Sequence, residues 1–169
     1  EYFKYSNINY GLLGTIIEKV TEERFDLYQK KHILKQLDIK GDYTVGNLSK
    51  GAFKNLGVIY QKNNHEKWEE NGPWIPQIDD YQGKQPPKDQ VKVQIPDHRD
   101  LDAFYRLEDY QPGTNATFFS PQGGLRISYD ELGHALQMIL NNGKYRGKQV
   151  LRPEALREMM TTQWTYDPA

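Results

Sequence analysis

Two stretches of helical periodicity near the start of the chain constrain its fold more than any other feature. In the first stretch, apolar residues recur three and four positions apart, at Ile8, Leu12, Leu13, Ile16, Ile17 and Val20. This spacing predicts a helix from about Asn7 to Val20, and Asn7 is a suitable N-cap residue. A second apolar set predicts a helix from about Arg24 to Gln36: Phe25, Leu27, Tyr28, Ile33, Leu34 and Leu37.

The last third of the chain carries explicit signals for helix starts and stops. Ser128 and Glu131 have the spacing of a capping box. They predict a helix from about Tyr129 to Asn141 that ends near Asn142 and Gly143. Pro153 suits the first position of a further helix.

The middle of the chain predicts short strands and loops. Residues Phe53 to Gln61 alternate in hydrophobicity, which predicts a strand, and Glu66 to Asp80 predicts a turn between short extended pieces. Residues 82–102, and Gln82 to Lys88 in particular, predict an exposed loop or insertion. The expected fold class is therefore mainly α with some short β-strands.

Composition excludes several classes of protein. The 169 residues suffice for one domain with a core. The formal net charge of −1 argues against a nucleic-acid-binding face. No stretch approaches the length of a membrane span. Cysteine is absent, so disulfides and thiolate metal sites are excluded.

Three segments together resemble a known family. Tyr5-Ser6-Asn7 stands directly before the first helix, Phe119 to Ser128 contains the pair Gly123-Gly124 before a capped helix, and Asn142 to Leu151 leads into Pro153. In this order they resemble the serine β-lactamase and penicillin-binding-protein family, specifically its class C β-lactamase and DD-peptidase branch. Residues Leu48 to Gln111 carry no pattern of that family.

The resemblance implies a fragment of a larger fold. Residues 1–169 would form one internal piece, mostly the helical domain that such enzymes insert into an α/β domain, without most of the main sheet. The family's nucleophile motif, Ser-x-x-Lys, is not found: the residues three positions after the four serines are Asn9, Ala52, Gly123 and Glu131. The third motif, Lys-Thr-Gly or His-x-Gly, is also missing. We therefore expect the chain alone to be inactive.

The resemblance also implies a chemistry and a set of site residues. A serine of the parent protein would form an acyl-enzyme with β-lactams, D-Ala-D-Ala peptides or small esters and amides. Tyr5 would be the base or proton shuttle, and Asn7 would bind the substrate amide or orient a lysine. Gln122, Gly123 and Gly124 would contact substrate. No cofactor or metal is expected, and the parent would be periplasmic or extracellular.

Other interpretations remain open at this level. Tyr5 and Asn7 are also consistent with a packing residue and a helix cap, and Gly123-Gly124 with a plain tight turn. The parent could be a non-catalytic homologue that binds peptidoglycan peptides or a protein partner, or the chain an unrelated helical interaction module. Trp68, Trp74 and Tyr81 could line a groove or pack a loop onto the helices. Asp97, His98, Asp100 and Asp102 could hold a cation, although a solvated loop is the better explanation.

The first helix is apolar over a wide arc, and this has a consequence for the isolated chain. Large exposed apolar patches are unusual on soluble monomers. We therefore expect the 169-residue chain to self-associate through this face.

Overall fold

In a computed structural model, which describes residues 4–64, 67–92 and 104–165, the chain folds into helices with small antiparallel sheets. The mainly α class with short strands is confirmed. The described residues fall into two compact units. The first comprises residues 4–44 and 108–165, and the second residues 45–64, 67–92 and 104–107. That the 169 residues form one fragment of a larger protein stays a prediction.

Among the described residues of the first unit, four helical segments and a 3₁₀ turn at Ala116–Phe119 are present. Helix α1 spans Ile8–Thr21 and ends at Glu22 in the left-handed conformation. Helix α2, Phe25–Gln29, continues through a π-helical turn at Lys30–Leu34 and a 3₁₀ turn at Lys35–Leu37. Helix α4 spans Tyr129–Leu140, and α5 spans Pro153–Met160. All four helices that the sequence predicted are confirmed to within about two residues, which is the usual uncertainty at helix ends.

The start of α4 shows why the local sequence was sufficient there. The Ser128 hydroxyl accepts a hydrogen bond from the Glu131 N–H, and the Glu131 carboxylate accepts one from the Ser128 N–H at 2.9 Å, so the capping box is complete. Glu131 also accepts from the Lys40 N–H at 2.6 Å. Burial alone would raise the pKa of Glu131, but these backbone donors outweigh it and lower the pKa.

The core of the first unit lies between the end of the second helical segment and α4. Leu34, Leu37, Ile39 and Tyr145 are buried together, and apolar side chains from α4 and from the segments beside it pack against them: Leu125, Ile127, Ala135, Met138 and Val150. Tyr145 belongs to a short hairpin of β6, Lys144–Tyr145, and β7, Lys148–Gln149. Gly143, at φ +84°, makes the turn after α4.

The second unit is built around a three-stranded antiparallel sheet in the order β2-β1-β3. Its strands are β1, Ile59–Asn64, β2, Lys67–Trp68, and β3, Trp74–Ile78. A second sheet pairs β4, Gln90–Lys92, with β5, Phe104–Arg106. The predicted extended pieces on either side of Asn71-Gly72-Pro73 are confirmed.

One strand prediction in this unit was wrong at its start. We predicted a strand from Phe53 to Gln61, but Lys50–Lys54 form the short helix α3 and the strand begins at Ile59. The Ser49 hydroxyl accepts a hydrogen bond from the Ala52 N–H at 3.1 Å and caps this helix. The capping hydroxyl therefore overrides the alternating pattern at Phe53.

Of residues 82–102, predicted as an exposed loop or insertion, the structure describes 82–92. Gln82 to Lys84 are exposed, whereas Pro86 is buried. The Gln85 amide donates to the carbonyl oxygens of Val45, Gly46 and Leu48, the last at 2.8 Å. This loop is therefore fastened within its own unit. Asp97, His98, Asp100 and Asp102 lie outside the described residues.

Candidate functional site

Tyr5 and Asn7 lie at the N-terminal end of α1, and both are exposed. Tyr5 is 58% exposed, and its ring centroid lies 6.2 Å from that of Tyr10. A phenol and an amide are thus presented to solvent just before the helix begins. This exposure argues against Tyr5 as a packing residue in the described part of the chain. That the two side chains form a catalytic pair in a cleft stays a prediction.

Asn7 occupies the N-cap position, as predicted, but its side chain makes no capping hydrogen bond. Its φ of −63° and ψ of −30° are already helical. N-cap residues normally adopt extended angles that turn the side chain back toward the first helical N–H groups. Asn7 therefore stands at the N-cap position, but the explanation that its side chain caps the helix by a hydrogen bond is wrong.

Gly123 and Gly124 lie in a tight turn that starts at Ser120. The Gly123 and Gly124 N–H groups both donate to the Ser120 carbonyl oxygen, at 3.0 and 2.7 Å. A Cβ on Gly124 would lie 2.6 Å from the Ser120 Cβ, closer than real contacts permit. Gly124 is therefore required by the turn, which supports the structural explanation for this residue.

The other two residues of that turn differ from Gly124. Gln122 and Gly123 are exposed, and a Cβ on Gly123 would meet nothing within 4 Å. The turn thus presents Gln122 and the Gly123 backbone to solvent. Their contact with substrate stays a prediction.

Arg126 and Asp42 fix this turn within the first unit. One terminal nitrogen of Arg126 donates to the Gly124 carbonyl oxygen at 2.5 Å and to that of Tyr43 at 2.9 Å. The backbones of Asp42 and Arg126 exchange two hydrogen bonds as an isolated bridge. The buried Asp42 carboxylate also lies 2.6 Å from the Lys30 ammonium. The turn after Ser120 is therefore connected to the second helical segment.

The face of α1 that is buried carries small and polar residues. Gly11 faces Thr117, and a Cβ on Gly14 would lie 3.0 Å from both Ala116 and Pro121. The Thr15 hydroxyl accepts a hydrogen bond from the Ala116 N–H at 3.0 Å. The segment that leads into the Ser120 turn therefore runs directly against α1.

Glu18, 1% exposed, is the buried anchor at the other end of that contact. Its carboxylate accepts hydrogen bonds from the Tyr110 hydroxyl at 2.5 Å and from the N–H groups of Gly113 and Phe25, both at 2.8 Å. Burial and the hydrogen bond to Glu18 raise the pKa of Tyr110 to about 12. The sequence analysis did not identify these hydrogen bonds around Glu18. The signal that could have indicated them is a second set of residues on one face of the helix, at positions 11, 14, 15 and 18.

The structure brings α1 and the Ser120 turn together through Gly14 and Pro121. Asn7, at the N-cap of the same helix, lies about 10 Å from Gly14, because seven residues at ~1.5 Å per residue separate them, and Tyr5 precedes the helix. The two sets of predicted site residues thus belong to two elements that contact each other within one unit.

The apolar arc of α1 points away from this contact. Ile8, Leu12, Leu13, Ile16 and Val20 are between 48% and 79% exposed, while Ile17 is half-buried. The expectation of a wide exposed apolar face is therefore confirmed. Self-association of the chain through this face stays a prediction.

In the second unit, Trp68 and Trp74 are each 65% exposed. Their interpretation as packing residues is wrong for the described part of the chain. Tyr81 does pack against a helix, with its ring centroid 6.2 Å from that of Phe53 in α3. That these three aromatic residues line a groove stays a prediction.

Comparison with known proteins assigns the class. The family model described as Beta-lactamase matches residues 1–167, nearly the whole chain. The chain therefore belongs to the β-lactamase family, and the resemblance to serine β-lactamases and penicillin-binding proteins is confirmed.

A curated relative is the protein named Protein flp from Staphylococcus aureus strain MW2. It is 50% identical to this chain over 40 residues, which cover 24% of the chain and 8% of that protein. The chain thus matches a small part of the relative's length. Among the described residues, no helix has both the length and the hydrophobicity that crossing a membrane requires.

Proposed function

We propose that the chain is part of a serine hydrolase that acts on β-lactams, D-Ala-D-Ala peptides or small esters and amides through an acyl-enzyme. The observation that carries this proposal is the family match over residues 1–167. The exposed Tyr5 and Asn7 at the start of α1 support it, because catalytic side chains must be accessible to substrate.

The reaction assigns distinct roles to the two side chains. A serine hydroxyl attacks the substrate carbonyl carbon and gives up its proton, and the leaving nitrogen or oxygen takes up a proton as its bond breaks. Tyr5 accepts and returns that proton. Asn7 donates an amide N–H to the substrate or orients a lysine. Water then hydrolyses the acyl-enzyme.

In this proposal, the Ser-x-x-Lys motif and the Lys-Thr-Gly or His-x-Gly motif belong to parts of the protein outside the 169 residues. None of the four serines is followed by lysine at the third position. The chain corresponds mostly to the helical domain of an α/β fold, without most of the main sheet. The exposed apolar face of α1 is the surface that other parts of the protein cover. From the family resemblance we infer that the whole protein acts in the periplasm or outside the cell.

The experiment replaces Tyr5 by phenylalanine in the full-length protein. Loss of a general base lowers turnover roughly 10²–10⁴-fold, so acylation by a fluorescent penicillin and nitrocefin hydrolysis should both fall by this order. Tyr10→Phe is the matched control, because Tyr10 is also an exposed tyrosine, 42% exposed and five residues after Tyr5. The isolated 169-residue chain should show neither reaction.

Asn7→Ala separates a chemical role from a structural one. It should lower acylation while leaving the free energy of unfolding within about 0.5 kcal/mol of the wild-type value, because the Asn7 side chain makes no cap hydrogen bond.

Unchanged kcat/KM in Tyr5→Phe would remove the catalytic assignment and favour a non-catalytic peptide- or protein-binding homologue. A covalent adduct on Ser6 in the isolated chain would place the nucleophile inside it.

A further inference from the structure

The N-terminal half of α1 approaches the 3₁₀ turn Ala116–Phe119 so closely that no side chain fits between them at one point. A Cβ on Gly11 would lie 2.3 Å from the Thr117 Cγ2 methyl group. Real Cβ contacts essentially never reach this distance. Any larger residue at position 11 therefore forces either a shift of α1 against the turn or a rotation of Thr117.

Thr117 is exposed, and its neighbour Asn115 holds its rotamer. Its hydroxyl is hydrogen-bonded to the Asn115 side-chain oxygen, which also accepts from the Thr117 N–H at 3.2 Å and caps the 3₁₀ turn. Rotation about χ1 would break the hydroxyl bond, and β-branched side chains have few rotamers to choose from. Thr117 therefore resists rotation, so a larger residue at position 11 would displace α1 instead.

The positions of Gly11 and Thr117 connect this contact to the predicted site residues. Gly11 lies four residues, one helical turn, after Asn7. Thr117 lies three residues before Ser120, whose carbonyl oxygen organises the turn through Gly124. We propose that the contact between Gly11 and Thr117 sets the position of Tyr5 and Asn7 relative to the Ser120–Gly124 turn. Gly11 and Thr117 are positioning residues, and this inference rests on the proposed catalytic role of Tyr5.

The test is Gly11→Ala in the full-length protein, with Gly133→Ala as the control. Gly133 also lies inside a helix, α4, but a Cβ there would meet nothing within 4 Å. Both changes raise helix propensity by about 1 kcal/mol, so only the contact with Thr117 distinguishes them. A misplacement of about 1 Å can cost on the order of 10²-fold in rate, so we expect Gly11→Ala to slow acylation by 10–100-fold.

The readout is the rate of acylation by a fluorescent penicillin over a range of probe concentrations. This separates the acylation rate constant from the noncovalent binding constant. We expect the rate constant to fall and the binding constant to stay near wild type, because Tyr5 acts in the chemical step. A general loss of structure would lower the active fraction and leave the rate constant of the remainder unchanged.

The double variant Gly11→Ala with Thr117→Ser provides the rescue. Serine keeps the hydroxyl bonded to Asn115 and lacks the methyl group that the new Cβ would meet, so the rate should return to wild type. Slow acylation in the double variant would overturn the proposal, and so would a wild-type rate in Gly11→Ala.

Two further variants keep the outcome unambiguous. Should Gly11→Ala fail to fold, Thr117→Ala takes its place, because it removes the methyl group that meets Gly11. A wild-type rate in Thr117→Ala would then contradict the proposal. Tyr5→Phe identifies which idea fails. A wild-type rate there removes the proposed function. Slow Tyr5→Phe with normal Gly11→Ala removes only the positioning role.

Discussion

Helix α1 and the helical segment that follows it differ in whether their apolar side chains are buried, although the same apolar periodicity predicted both. The second segment buries Phe25, Leu34 and Leu37, which are 5%, 4% and 2% exposed. Helix α1 instead buries glycines and Glu18, and its apolar residues face solvent in the described part of the chain. Periodicity therefore locates a helix, but the neighbouring segments decide which face is buried.

The neighbours of the two helices explain this difference. Leu34 and Leu37 meet apolar side chains of α4 and the hairpin beside it. Helix α1 meets residues 110–121, whose backbone N–H groups at Gly113 and Ala116 donate to it and whose side chains come too close to its glycines for a Cβ there. Glycines permit the approach, and Glu18 satisfies donors that an apolar residue would leave unpaired.

Glu18→Ala is the sharpest way to break the α1 side of this comparison. It leaves the Tyr110 hydroxyl and two buried N–H groups without their acceptor. Each orphaned buried donor costs ~1–3 kcal/mol, so the free energy of unfolding should fall by about 3 kcal/mol or more. Urea unfolding of the full-length protein would measure this. Glu154→Ala, at an exposed glutamate, should change little, and an equal effect of both would contradict the role of Glu18.

The sequence was most informative where a local interaction determines the structure. The capping box at Ser128 and Glu131 and the proline at position 153 each fix a helix start without distant partners. The strand predicted from Phe53 failed because Ser49 caps a short helix there. The stripe at positions 11, 14, 15 and 18 could have indicated the buried face, but the partner of Glu18 could not be predicted, because Tyr110 is 92 residues away in the chain. For the same reason the exposure of Tyr5 and Asn7 required the structure.

Glu131→Gln tests a local interaction of the kind that made α4 predictable. The pKa of this carboxyl is lowered in the folded state, so its contribution is present above the ordinary carboxyl pKa and is lost as the pH falls through the folded-state value. At neutral pH the variant should lose about 1 kcal/mol of unfolding free energy. Its free energy of unfolding should also decline less than that of the wild type as the pH falls. Asp130→Asn, an exposed neighbour in the same helical turn, is the control. A variant that keeps the full decline would exclude Glu131 as its source.

The central claim is that other parts of the protein cover the apolar face of α1, and Leu12→Ala in the full-length protein tests it most directly. Leu12 is 61% exposed in the structure described above. Exposed substitutions change the free energy of unfolding by no more than about 0.5 kcal/mol, whereas buried leucine-to-alanine changes cost about 2–5 kcal/mol. We expect a loss in the second range, similar to that of Leu37→Ala. A loss in the first range, with Leu37→Ala strongly destabilising, would show that this face remains exposed and would contradict the account.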